Sequence, residues 1–309
     1  MALNTQKWLT DFQENLYPND SFYAGTMNDS EYVNNTIVHI PNYSAEVTTF
    51  DMSDSITYPR TLKELAHTEK TYTMIQQAVD PYMVDPMEDS EFSYNKRFAI
   101  LKQAINKLSD DVATKINWEW TVTATSSIFN TTGALRANRF GNTSIKSIAY
   151  TDLLNLQTQL NTQNVPQAGR RLVVDAYGLA DIQTMSINTE SALLTEKAFI
   201  DGAVFRVAGF DVFMRSNTSS FTSAGAKKAI TATDTTSDLS GAIAFHPDFV
   251  RYAVGTKDNS GIKVFQGVED PAVYGSTMSA MVRVGASTSY LAVSNLVKGV
   301  VTLRESKQY

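Results

Sequence analysis

The side chains best suited to chemistry are few and scattered. Histidine, the usual proton shuttle and metal ligand near neutral pH, occurs three times, as His39, His67 and His246. No two of them have the His-x-x-x-His spacing that sets a pair of imidazoles on one helix face, so each reads as a structural or surface residue. Asp110 and Asp111 are neighbours, but adjacent helical residues point about 100° apart, which makes them a solvated helix edge and not an acid–base pair. Asn117-Trp118-Glu119-Trp120 offers two indoles for stacking a ligand; the preferred reading is that they close a helix against the core. Lys227-Lys228 sits among Ser and Thr and reads as a solvated tip, since two lysines are not a basic stripe. There is no Gly-x-Ser-x-Gly elbow, phosphate-cradling glycine loop or dinucleotide fingerprint. With no cysteine in the chain, disulfides, thiolate metal sites and cysteine nucleophiles are excluded. The expectation is a protein that is not an enzyme, with no catalytic, metal or cofactor site.

Composition points the same way. The 309 residues are 43% hydrophobic and only 19% charged, against roughly 25% charged for a typical soluble domain. A sizeable core can be buried under a polar, weakly charged surface suited to broad contacts. The net charge of −6 argues against a protein whose main task is to grip nucleic acid, which needs a basic patch to displace counterions; a container for nucleic acid remains compatible with it. The first 16 residues lack the basic-then-apolar pattern of a secretory signal, and no run of about 18 apolar residues suggests a membrane span. The Asn-x-Ser/Thr triplets at Asn34 and Asn142 are then chance products of an Asn- and Thr-rich chain.

The elements that would position any site begin with an irregular first 45 residues. A short amphipathic helix is expected over about 4–16, with Trp8, Leu9, Phe12 and Leu16 on one side, followed by a Pro18-Asn19-Asp20-Ser21 turn and a short strand, Thr36–Pro41, stopped by proline. Residues 45–85 read as two strands, Val47–Met52 and Lys70–Ile75, joined by a long polar connection, Ser53–Glu69. Such a ribbon is marginal alone in water, and a long connection of this kind is usually functional or a partner contact. Leu101, Ile105, Leu108, Val112 and Ile116 then recur at helical spacing from a cap at Asp89 or Ser90 to Trp118 or Trp120. That predicts one helix of about 30 residues, roughly 45 Å long. Further on come helices over 151–163 and 176–185, a buried strand at Arg171–Asp175 and two strands bending at Gly209. An exposed loop over 221–238 precedes a strand at Ala242–Phe245 and a short helix over 247–254. Strands at 264–267, 279–286 and 296–304 complete an α+β chain without internal repeats.

This order of elements (extended arm, long ribbon, uninterrupted helix, α+β body closed by strands) resembles the Hong Kong 97 fold of tailed-bacteriophage major capsid proteins. By position, residues 1–45 resemble the N-arm, 46–86 the E-loop, 87–150 the spine helix with P-domain residues, 151–275 the A domain, and 276–309 strands returning to the P domain. Gly209-Phe210-Asp211-Val212-Phe213-Met214-Arg215-Ser216-Asn217 is similar to a strand common in these proteins, as is Ala242–His246. Some relatives carry a cleaved scaffolding segment at the N-terminus; none is evident here, so the resemblance implies a separate scaffolding protein or an already mature chain. One relative crosslinks an E-loop lysine to a neighbour's asparagine. Lys63 and Lys70 lie in the corresponding region, but no partner is identifiable.

What the resemblance implies is mechanical. Pentamers and hexamers would build an icosahedral virion shell around weakly contacted double-stranded DNA, assembled in the host bacterial cytoplasm, with a portal at one vertex, a decoration protein as a further possible partner, and no membrane. Intersubunit contact candidates are Trp8, Phe12, Phe22 and Tyr23 in the arm and Tyr58, Leu62, Leu65, Met74 and Ile75 in the ribbon; ordinary packing within the chain is the alternative for each. The competing functions are an encapsulin-like nanocompartment shell and a surface adhesin or S-layer protein.

Overall fold

The computed structural model describes residues 22–43, 51, 67–84, 96–187, 205–255, 263–270, 275–288 and 298–308. In chain order the first elements are strands β1 (Met27–Asn28), β2 (Val33–Asn34), β3 (Ile37–Tyr43), β4 (His67–Thr73), β5 (Ile75–Ala78) and β6 (Tyr82–Val84). Helix α1 (Lys96–Trp120) follows, then strands β7 (Ile128–Asn130), β8 (Leu135–Arg136) and β9 (Ile145–Lys146). Next are α2 (Tyr150–Thr162), β10 (Arg171–Val174), α3 (Ala176–Ile187), β11 (Phe205–Val207), β12 (Phe210–Met214) and β13 (Ser220–Phe221). The chain closes with β14 (Leu239–Phe245), β15 (Val250–Val254), β16 (Lys263–Asp270), β17 (Gly275–Thr288) and β18 (Val300–Arg304).

Helix α1 is the expected long helix, with 25 described residues, about 38 Å at 1.5 Å per residue. Its apolar stripe is buried as the spacing requires: Ile105, Leu108, Val112, Ile116 and Trp120 are all at most 4% exposed. The proposed caps at Asp89 and Ser90 lie outside the described residues. Against the stripe lies a sheet built around β17. Strands β15 and β16 run antiparallel to it, β5 and β6 pair with it as well, and β1 runs parallel to β15. Alternate β17 residues Ala280, Val282, Val284 and Ala286 face α1 in one continuous core.

The second sheet has the order β11-β12-β10-β14-β18-β7. It is covered on both faces, and the period of two in a strand decides which side chain goes where. Val173, Ile243, Phe245 and Val300 enter the α1 core. Their neighbours Leu172, Val174, Ala242, Ala244, Val301 and Leu303 enter a second core under α2 and α3. Burial on both faces is why these strands read as continuous apolar runs and not as alternating ones. Both covering helices start on an aspartate. The Asp152 carboxylate accepts from the backbone of Ala149 at 2.8 Å and from Thr132, and Asp175 accepts from the Gly178 N–H at 2.7 Å, each satisfying a donor that a helix start leaves unpaired.

Two expectations are corrected. A ribbon is formed by β3 and β4, in register from Ile37↔Thr73 to Tyr43↔His67, so the strand expected to stop at Pro41 runs on to Tyr43. Pro41 therefore lies inside a strand, which proline tolerates at an edge; among the described residues β2 pairs with Ile37 and Val38 and no strand pairs with β3 beyond them on that side. Of Val47–Met52 only Asp51 is described, without regular structure. The expected helix over 247–254 is a single turn, Pro247–Phe249, and then strand β15, in which Val250 and Ala253 are fully buried. The two sheets also interleave along the chain: β15 and β16 belong with β17 and α1, whereas β18 sits between β14 and β7. The bend at Gly209 is found as expected. Ala208 and Gly209 both have positive φ, 47° and 80°, the two-residue turn that matches the twist of a hairpin.

Candidate assembly surface

The residues first suspected of chemistry are spent on structure. His246 is 7% exposed and its Nε2 lies 3.0 Å from the Ala168 carbonyl. His39 meets Glu69 across the ribbon; nothing is described of the His67 side chain. Asp110 accepts from Arg215 and Asp111 from Lys107, both at 2.7 Å. No group of three or more His, Cys, Asp and Glu residues placed to hold a metal occurs among the described residues. Trp120 is fully buried between Phe22 and Phe245, ring centroids 5.7 and 5.1 Å away, with its indole N–H on the Arg251 carbonyl at 3.0 Å. Trp118 is only partly buried. Lys227 lies 3.9 Å and Lys115 4.5 Å from its ring centre. The expected solvated tip is thus corrected: Lys227 folds back over the indole and donates to the Thr121 carbonyl at 2.9 Å, while Lys228 pairs with Asp238. The attraction of an ammonium for an indole face accounts for the placement. Beside Trp118 is a cleft of about 190 Å³ that also includes Arg139, Ser219, Lys228 and Asp234, with no nucleophile–base pair in it.

The geometry that remains is one of docking. The outer face of the β17 sheet, away from α1, receives the ribbon over one half of its length. Met74 and Ala253 join Val33, Val38 and Ile40 in a small core there. Gly285 permits the approach: a Cβ at that position would stand 3.0 Å from Met74 Cγ and 3.2 Å from Tyr72 and the Thr73 carbonyl. Around this core lies a polar tie. Asp29, 2% exposed, accepts from Arg251 at 3.0 Å and from the Tyr72 hydroxyl at 3.2 Å, and Lys70 donates to the Thr288 carbonyl. Burial raises the Asp29 carboxyl, opposed by Arg251. Burial, reinforced by Arg251, lowers the Lys70 ammonium to about 7.

The Lys70 value carries a sign. Unfolded, the amine keeps its proton up to about pH 10.5; folded, it sheds it near 7. Between those values the folded chain binds fewer protons, so stability rises with pH. Protection of the ribbon amides from hydrogen exchange is expected to increase from about pH 7 to about pH 9, and Lys70→Met is expected to abolish the increase. Equal pH dependence in both chains would show that Lys70 does not govern the seating of the ribbon.

Elsewhere that outer face carries exposed apolar side chains among the described residues. Phe265 and Met83, set on it by their pairing with Ser279 and Thr277, are each 51% exposed. Tyr32 at the ribbon side is 54% exposed and Tyr82 46%. None of these was singled out from sequence, where an apolar residue in a strand pattern reads as core. Of the residues that were, Phe22, Tyr23 and Met74 are 2%, 3% and 5% exposed, so their own chain already covers them and they have no area to give a neighbour. Phe22 and the residues after it are held by Arg171, whose guanidinium donates to the Phe22 carbonyl at 2.7 Å and to that of Ala24. Ile75 is partly buried against the α1 core. Trp8, Phe12, Tyr58, Leu62 and Leu65 lie outside the described residues.

No protein-family model and no curated protein matches the sequence. Solved structures do match in fold. The capsid of Ralstonia phage GP4 aligns at a TM-score of 0.67 with 9% identity, over 96% of this chain and 91% of that one. A chain of Mycobacterium phage Che8 aligns at 0.57 with 15% identity over 93% and 92%. The virus-like particle from Pyrococcus furiosus aligns at 0.55 with 10% identity over 97% and 99%. The chain has the α+β Hong Kong 97 fold.

Proposed function

We propose that this chain is the major capsid protein of a tailed bacteriophage, a shell subunit without catalysis of its own. The observation that carries the reading is a likeness of fold to phage capsid chains over nine-tenths or more of both partners. On this reading residues 1–45 are the N-arm, 46–86 the E-loop, 87–150 the spine helix with P-domain residues, 151–275 the A domain and 276–309 the closing strands. The pairing of β3 with β4 favours counting the E-loop from Ile37. Pentamers and hexamers form an icosahedral shell, each subunit making several modest contacts that sum by multivalency. The outer face of the β17 sheet, with the exposed Met83 and Phe265, joins Trp8, Phe12, Tyr58, Leu62 and Leu65 as a contact candidate. A scaffolding protein, a portal and a decoration protein are the expected partners. The site of action is the virion, after assembly in the bacterial cytoplasm. The net charge of −6 suits a wall that contacts packaged DNA weakly.

A second reading, a nanocompartment shell, is favoured by the likeness to the Pyrococcus furiosus particle. Expression in bacteria, with and without candidate scaffolding proteins, followed by electron microscopy, tests both. Closed shells, tubes or hexameric rings support the shell reading, and a co-purifying protein cargo would select the compartment. A monodisperse monomer under every condition would overturn both.

A further inference from the structure

Where the second sheet meets α3 and the β8–β9 hairpin, three carboxylates surround one guanidinium. Arg136 donates to Asp181 at 2.7 Å and lies 3.0 Å from Glu305 Oε1. Glu305 is 4% exposed and follows β18; its other oxygen accepts from Asn138 at 2.9 Å and from the Ser240 N–H at 2.8 Å. Asp175, 6% exposed, spends one oxygen on the start of α3. Two carboxylate oxygens here are buried without a hydrogen-bond partner, Asp175 Oδ2 and Glu305 Oε1, the latter close to Arg136 but not aligned with it. The next cation, Arg139, is turned to the Ser216 and Thr218 carbonyls and the Ser220 hydroxyl. Asp238 is bound to Lys228 and offers the cluster only its carbonyl, to Asn138. Three carboxylates against Arg136 and Arg139 leave at least one negative charge in excess, and burying uncompensated charge is costly.

We propose that Glu305 holds a proton in the folded chain, neutralising the charge that Asp175 and Asp181 leave unbalanced, and that this proton fastens the C-terminal segment to the rest of the subunit. Among the described residues the segment is also held by hydrogen bonds, Ser306 with Thr131 and Lys146 and Gln308 with Ser144. Electrostatics agree with the geometry. Burial raises the Glu305 carboxyl, with Asp175 adding to the rise against Ser240, Asn138 and Arg136, and burial likewise raises Asp181. A raised carboxyl keeps in the folded state a proton that the unfolded chain has released, so stability falls as pH rises through the raised value and is level below the ordinary one. The inference concerns the subunit itself and stands whether or not the chain forms a shell.

The test is made on the full chain. Infrared spectra recorded over a pH series are expected to show in the parent a buried carboxyl that stays protonated above the ordinary glutamate value of 4.5, absent from Glu305→Gln. Relative to Glu305→Gln, the urea midpoint of the parent is expected to fall as the pH rises above the ordinary glutamate value. Should that variant fail to fold, Asp175→Asn, which keeps an N-capping side chain, is expected to weaken the protonated band and flatten the pH dependence. No protonated carboxyl in the parent, or parallel midpoints in parent and variant, overturns the proposal.

Discussion

On the proposed shell function, Gly285→Leu is expected to give a subunit that folds but no longer assembles. A Cβ at this position already stands 3.0 Å from Met74 Cγ, so a leucine has room only if β4 lifts from the sheet. Overpacking of this kind costs about 1–3 kcal/mol, against about 5–15 kcal/mol for a whole domain. The α1 side of β17, with Val284 and Ala286 on either side of the glycine, is untouched because those side chains point the other way. The displaced ribbon would carry its loop to the wrong place in every subunit, and a lattice multiplies such an error. Circular dichroism and gel filtration report the fold, and electron microscopy reports the particles. Normal particles from the variant would mean that the seating of the ribbon is not needed for assembly.

Trp120→Ala is expected to have the largest effect on stability. The indole is fully buried and touches the residues that root the N-terminal segment, the second sheet and β15: Phe22, Phe245 and the Arg251 carbonyl. Deleting a buried aromatic of this size costs about 3–5 kcal/mol, and an unpaired buried carbonyl adds about 1–3 kcal/mol. The sum approaches the whole stability of a domain, so soluble yield is expected to collapse. An unfolding free energy within about 1 kcal/mol of the parent's would show that the three elements are held together by something other than this ring. Trp118→Ala, at a partly exposed site, is the control with a smaller loss.

Where periodicity and local turn chemistry decide the outcome, the sequence was readable. Ile105, Leu108, Val112 and Ile116 announce α1, and Ala208-Gly209 announces a hairpin. Where long-range pairing decides, it was not. Thr36–Pro41 reads as a short strand apart from the ribbon, and only the register Ile37↔Thr73 pairs it with β4. Val250–Val254 follows a Pro-Asp helix-start signal, yet pairing with β17 overrides it. Lys227 looked solvated because nothing near it in sequence is aromatic; its partner Trp118 comes from the end of α1. Of the candidate contact residues, Phe22, Tyr23 and Met74 were recognised as apolar groups needing cover, but sequence could not say that their own chain supplies it. Tyr82, Met83 and Phe265 passed unremarked because exposure is a property of neighbours.

The second sheet works as a party wall. Along β10, β14 and β18 each successive side chain is assigned to a different room, one furnished by α1 and the other by α2 and α3. Either room can be refurnished by exchanging apolar residues of similar volume without the other being disturbed. An insertion or deletion of a single residue within the wall would instead swap the contents of both rooms at once. Divergence in such a lineage is therefore channelled: substitutions accumulate freely inside the strands, while changes of length are confined to the loops between them. Chains that share this fold at 9–15% identity still align with it over more than nine-tenths of each chain.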